Sequence, residues 1–309
     1  MYNIDLVIPY VDSNDLNWQK LFNQYNPIKD NSIEGINAKN RFRGQGNFFK
    51  YWFRCVERNM PWIHNIFLVV QSESQVPSWI NKDKVKIVLH KDIIPEEYLP
   101  TFNSTCIEMF LWNIPELSEY FIYSNDDFYA LRPLRYEWFF NMEGHKVKNN
   151  SLDSRNADKL GMYSNHCINA YCLAFDKNKE ELKNSSTRIP LFRHCMRPYL
   201  KSNMVKSFTK NKEIILNSIS KFRELKNINI YYFDHCLIRD NYQEPRIGIT
   251  NKCISSKTNY KDIIAILNSP YINMLAIQDT DIGDYDIYSN VTLNNFFREK
   301  YSFKSKYEI

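Results

Sequence analysis

Two adjacent acids, Asp126 and Asp127, follow the apolar run Tyr120-Phe121-Ile122-Tyr123, with only Ser124 and Asn125 between. The run has the aromatic and β-branched content of a buried strand, and charge placed at its end works against hydrophobic burial. A carboxylate pair in that position is suited to holding a divalent cation against phosphate oxygens. Magnesium takes one or two protein carboxylates and fills its remaining positions with phosphate and water. In an open α/β sheet, ligands bind at the carboxyl ends of the strands. The competing account of an isolated Asn-Asp-Asp is a solvated turn.

Other residues carry the same kind of chemistry. Asp12 and Asp15 bound a polar loop that ends the apolar run Ile4 to Val11, and their side chains can also cap a helix beginning near Leu16. Arg41 and Arg43, close to Gly44 and Gly46, could set guanidinium forks and backbone amides against a phosphate. A surface loop with salt bridges is the plainer reading of that segment. On residue type alone, His194 reads as a structural histidine and Arg223 as a solvated helix charge. The dipeptides His166-Cys167, His194-Cys195 and His235-Cys236 come without any C-x-x-C, so structural zinc is not expected.

The elements that must position these residues alternate. A helix from Phe48 to Met60, capped by Asn47, aligns Phe48, Trp52 and Val56 on a buried stripe, and Pro61 ends it. Ile66 to Val70 and Val85 to Leu89 read as the second and third strands, and the strand before the acid pair as the fourth. Ile228 to Phe233 reads as a further, aromatic strand. Strands alternating with helices predict an α/β fold with a mostly parallel central sheet and helices on both faces.

At 309 residues, 44% apolar and 24% charged, the chain is long enough for a large buried core. A single catalytic domain over 1–309 is expected, with 141–187 as an insertion or acceptor-side subregion. A net charge of +5, spread along the chain, suits an anionic substrate or anionic lipid heads and is too mild for a nucleic-acid-binding protein. Seven cysteines without framework spacing point to reduced thiols and a cytoplasmic setting. No leader pattern is visible, and no apolar run approaches the ~20 residues of a membrane span. Most aromatics fall at core spacing, while Trp138-Phe139-Phe140 and Tyr199 are candidates to cover a sugar face or touch a membrane.

The order R-F-R from Arg41, N-x-P-W-I from Asn59, V-P-S-W from Val76, H-x-D-I-I-P from His90, L-P-T-F-N-S from Leu99, I-P-x-L-S-E-x-F-I-Y from Ile114 and N-D-D from Asn125 resembles the second conserved region of the Stealth family of sugar-phosphate transferases. DLVIPYVDSNDLNW resembles the first region, with Tyr10 for the usual tryptophan and Ser13 and Leu16 where Gly and Pro are common. Arg188 to Asp240 resembles the third region, and Met274 to Glu308 the fourth, where Gln278 takes the usual Asn position and Asp279 keeps the acid.

The resemblance implies a GT-A or Rossmann-like nucleotide-sugar fold. It also implies transfer of a sugar 1-phosphate from a UDP-sugar to a hydroxyl of a polysaccharide or lipid-linked oligosaccharide acceptor, with release of UMP. The implied catalytic residues are His194, Arg223 and Asp127. Donor contacts fall to Asp12, Asp15, Arg41, Arg43 and Asn103. Mg2+, or Mn2+, is assigned to Asp126, Asp127 and Asp279. A lipid-linked acceptor would bring the enzyme to the inner face of the membrane without a span. Two rivals are a glycosyltransferase of the GT-A kind, releasing UDP, and a non-catalytic polysaccharide-binding or assembly protein.

Overall fold

A computed structural model describes residues 2–26, 37, 42, 45–141, 144–145, 149–153, 161–185, 187–241, 250–278 and 287–309. The chain opens with strand β1 (Ile4–Pro9), helix α1 (Leu16–Tyr25), helix α2 (Phe49–Asn59), β2 (Ile66–Val70) and β3 (Val85–Leu89). Short helices α3 (His90–Ile93) and α4 (Ser104–Met109) lead to β4 (Tyr120–Tyr123) and β5 (Phe128–Ala130). Then come β6 (Phe140–Asn141), β7 (Gly144–His145), β8 (Asn149–Asp153), α5 (Met162–Phe175), α6 (Lys179–Asn184), β9 (Arg188–Phe192) and β10 (Arg197–Leu200). The chain closes with α7 (Lys201–Lys210), α8 (Lys212–Ser218), α9 (Tyr231–Asn241), β11 (Asn251–Ser255), α10 (Tyr260–Asn268), β12 (Met274–Gln278) and α11 (Val291–Lys300).

The larger sheet has the order β10-β4-β1-β2-β3. β4, β1, β2 and β3 run parallel, and β10 adds an antiparallel edge. Pro198 lies on this edge strand, the place in a sheet where proline's missing N–H can face away from the neighbouring strand. Parallel strands covered on both faces must be apolar on both, and the burial follows. Leu6, Ile8, Ile66, Leu68, Val70 and Ile122 enter one core with α2 and α11. Val7, Phe67, Val69, Phe121 and Tyr123 enter the other with α4, α5 and α9. Each fully buried side chain of this size contributes about 1.5–3 kcal/mol, so the sheet is held from both sides. The mostly parallel sheet with helices on both faces is as expected from the alternation.

A second sheet, β11-β12-β5, packs beside the first, with β5 antiparallel to β12. α2 grips its edge where Asn59 Nδ2 donates to the Ala130 carbonyl at 2.6 Å.

Some details differ from expectation. α2 has no side-chain cap; a 3-10 turn over Gly46–Phe48 feeds it, with Gly46 at φ +54°, which glycine adopts without strain. Phe139, Phe140 and Tyr199 belong to the cores and are not free to cover a sugar. Residues 231–241 form α9, not a strand. Tyr231 to Cys236 are all buried, so the run shows no amphipathic period, and a short apolar run of this kind reads alike for strand and helix. Among the described residues no helix is long and apolar enough to cross a membrane.

The C-terminal tail is locked to α2. Arg54 donates Nε to Glu308 Oε1 at 2.8 Å and Nη2 to Oε2 at 2.7 Å. Burial alone would raise the Glu308 carboxyl, but the Arg54 hydrogen bond and the Ser305 N–H outweigh it and hold it below the usual range. A depressed carboxylate stabilises the fold above its unfolded pKa and loses that contribution as pH falls through the folded value. Urea unfolding should therefore show Arg54→Ala destabilised by about 3 kcal/mol at neutral pH. The gap to wild type should narrow as pH falls below about 4.3, the ordinary glutamate value.

Candidate active site

Ser124 to Asp127 carry the chain from the first sheet to the second, since β4 ends at Tyr123 and β5 begins at Phe128. The main chain of this turn is fixed from several sides. Ser124 N–H donates to the Val7 carbonyl at 2.9 Å, and Ile277 N–H to the Asp127 carbonyl at 2.9 Å. Gln45 Nε2 donates to the Asp126 carbonyl at 2.7 Å, and the Tyr129 hydroxyl donates to Gln45 Oε1. Both carboxylates are left on the wall of a cleft of about 760 Å³.

Asp126 is half-buried there, and burial first, then the charge of Asp127, push its carboxyl up to about 8. Asp127 Oδ2 lies 3.2 Å from His194 Nε2. Its Oδ1 is buried and has no hydrogen-bond partner among the described residues.

The edge strand explains how His194 arrives. β10 pairs antiparallel to β4 with Arg197 opposite Tyr123, so residues before Arg197 lie beside residues after Tyr123. His194 thus stands alongside the acid turn, its ring edge-on to Phe128 at 4.5 Å. Arg197 is buried between the rings of Phe192 and Tyr231 and paired with Asp234 at 2.5 Å. Arg193 and Lys252 add positive charge to the same wall. Arg223 approaches from the loop before α9, its Nη2 donating to Ser104 Oγ at 3.1 Å.

Glu108 was not singled out from the sequence. It is 8% exposed and borders the cleft from α4. The Tyr123 hydroxyl donates to its Oε1 at 3.0 Å and the Ile230 N–H to its Oε2 at 3.4 Å. Burial raises its pKa to about 7, against the pull of these bonds and of the charges on Arg223 and His194. A signal was present: Ser104, Thr105 and Glu108 share one polar face of a helix that otherwise buries Cys106 and Met109.

Asp126, Asp127, His194 and Arg223 therefore meet on one cleft. The other expected contacts do not join them. Asp15 caps α1, accepting the Trp18 N–H at 2.6 Å, and Asp12 Oδ1 accepts the Asn14 N–H at 2.9 Å; neither is on the cleft wall. Asn103 is fully buried and corrects to a positioning residue. Its Oδ1 caps α4 at Thr105, while its Nδ2 donates to the Ser220 and Phe222 carbonyls and to Asn227 Oδ1. That network holds the loop that presents Arg223. Arg41, Arg43 and Asp279 lie outside the described residues; Gln278, next to Asp279, is on the cleft wall. Asn103→Ala should lower stability by about 2 kcal/mol in urea unfolding, with loss of turnover exceeding that of an equally destabilised core variant.

Residues 41–148 match conserved region 2 of the Stealth proteins. The chain is similar to the capsular polysaccharide phosphotransferase WcwK of Streptococcus pneumoniae, 31% identical over 92% of this chain and 93% of the relative. It is 30% identical to the receptor polysaccharide phosphotransferase WefC of Streptococcus oralis, over 90% of this chain and 91% of that one. The exopolysaccharide phosphotransferase cps2G of Lactiplantibacillus plantarum is 30% identical over 99% of this chain and 96% of its own. Identity of this extent over nearly the full length, together with the region match, shows that the chain belongs to the Stealth family.

Proposed function

We propose that the protein transfers a sugar 1-phosphate from a UDP-sugar to a hydroxyl of a growing polysaccharide, forming a phosphodiester and releasing UMP. The observation that carries this reading is the arrangement of Asp127: one oxygen 3.2 Å from His194, the other buried and uncommitted among the described residues. The names of the three relatives, all polysaccharide phosphotransferases, support phosphoryl transfer in polysaccharide assembly.

The acceptor oxygen attacks the β-phosphorus, its new P–O bond forms as the bond to UMP breaks, and its proton passes to His194. Hydrogen bonding to Asp127 keeps a proton on Nε2 and leaves Nδ1 as the accepting nitrogen. Charge gathers on the phosphoryl oxygens and the departing UMP. Arg223, with Arg193 on the same wall, answers it with fixed positive charge.

The acid pair fits a divalent cation. A buried carboxylate oxygen without a partner is a costly arrangement that a cation would relieve. Magnesium held by one or two protein carboxylates completes its shell with phosphate and water. Asp127, with Asp126, would hold Mg2+ or Mn2+, which supplies charge neutralisation across the diphosphate when bound.

Asp127→Asn should lower turnover by about a thousandfold or more while leaving the unfolding midpoint of the metal-free protein near wild type. Mn2+ should raise that midpoint in wild type and not in the variant. Full turnover in Asp127→Asn would remove the pair from the chemistry. His194→Ala should cost about 10²–10³ in kcat with a smaller change in donor binding, and an unchanged kcat would exclude His194 as the base.

A further inference from the structure

Arg197 is the first residue of β10, three residues beyond His194. It borders the cleft although only 4% of it is exposed. Nε donates to Asp234 Oδ2 at 3.1 Å and to the Tyr199 hydroxyl at 3.2 Å, while Nη2 lies 2.5 Å from Asp234 Oδ1. The rings of Phe192 and Tyr231 pack against the group, their centres 4.6 and 4.8 Å from Cζ.

An arginine carries five N–H donors. The two on Nη1 have no hydrogen-bond partner among the described residues, and Nη1 is not sealed from solvent. With one edge taken by Asp234 and two rings packed against it, the guanidinium turns this open end to the cleft. Burying an ion pair costs several kcal/mol per ion, and an apolar pair of similar volume often serves stability as well. A guanidinium held rigid at a cleft wall suits an oxyanion better than it suits a core.

The surrounding contacts put this end on the side of the acceptor. In an in-line displacement the attacking oxygen and the departing UMP stand on opposite sides of the phosphorus, and His194, the proposed base, marks the attacking side. Arg193 Nη1 donates to Asn251 Oδ1 at 3.3 Å, and Asn251 Nδ2 donates in turn to the His194 carbonyl at 3.3 Å. Three residues of chain span at most about 10 Å, so an acceptor whose hydroxyl meets His194 brings its adjoining sugar units toward Arg197. Tyr163, 44% exposed and sharing a hydrogen bond with the Tyr231 hydroxyl at 2.9 Å, sets a ring on the same cleft. Such a ring offers an apolar face to the C–H groups of a pyranose.

We infer that Arg197 receives a phosphate group of the acceptor, with Tyr163 against the adjoining sugar. The inference rests on the phosphotransfer reading and adds the class of acceptor: a glycan that already carries phosphate, as a phosphodiester within its chain or as the diphosphate of a lipid carrier. Either source presents the non-bridging oxygens that a guanidinium edge binds.

UMP release by the full chain, at saturating UDP-sugar with Mg2+, is measured with one synthetic oligosaccharide in three forms: neutral, with an internal phosphodiester, and with an alkyl diphosphate at its reducing end. Wild type should favour one charged form over the neutral one by about tenfold or more in kcat/KM, and the favoured form names the source of the phosphate. Arg197→Met combined with Asp234→Leu removes the pair without stranding a carboxylate; Arg197→Lys keeps a charge, loses the open fork and decides the matter if the double variant fails to fold. Both should collapse the preference while calorimetric binding of UDP with Mg2+ stays at the wild-type value. Tyr163→Ala should raise KM for all three forms alike. Equal kcat/KM for the three forms in wild type, a preference that survives in the folded Arg197 variants, or weakened UDP binding in them would overturn the subsite while phosphotransfer stands. Absence of UMP with every form would overturn both.

Discussion

Two carboxylates on consecutive residues, Asp126 and Asp127, are held half-buried at the seam between two sheets, on the wall of a cleft. The main chain of the turn is tied to β1 through Ser124, to β12 through Ile277 and to Gln45 through Asp126. With its main chain tied in this way, the pair lowers its electrostatic cost, among the described residues, through the imidazole of His194 and the protonation to which Asp126 is biased; a cation with phosphate would do the same. Such a turn suits the cation and phosphate site proposed above.

Much of the remaining architecture brings positive and proton-accepting groups to this point. The antiparallel edge strand carries His194 and Arg197 past the end of β4. The Asn103 and Asn227 network, wholly buried, fixes the loop from Ser218 to Asn227 and sets Arg223 across from the acids. Behind that loop, Trp18, Phe22, Phe42, Phe102 and Phe222 form an aromatic cluster with rings about 5 Å apart, edge-on and tilted as well as stacked. Packing of this kind resists displacement, and a site that must place charge against a phosphate within fractions of an ångström needs that stiffness.

The first four strands and α2 were legible because their apolar runs are short, bounded by turns and buried on both faces. The place of the acid pair, at a strand end beside a cleft, was legible because charge directly after such a run has few structural uses. Legibility failed where one residue type serves two ends. Asp15, read both as a cap and as a donor contact, caps α1 away from the cleft wall; Asn103, read as a donor contact, is buried in the network that holds a loop. Glu108 was missed as a candidate because its meaning depends on burial beside a cavity, which spacing along the chain does not encode. The run at Tyr231 misled because a helix buried all round carries no period.

Identification of the nucleotide released during turnover tests the central claim most directly. The purified protein is incubated with a panel of UDP-sugars and an oligosaccharide acceptor, with Mg2+ or with EDTA, and the products are separated by chromatography. Attack at the β-phosphorus predicts UMP, formed only with the metal and the acceptor present. Release of UDP would mean attack at the sugar carbon, and would contradict the phosphotransfer roles of Asp127, His194 and Arg223.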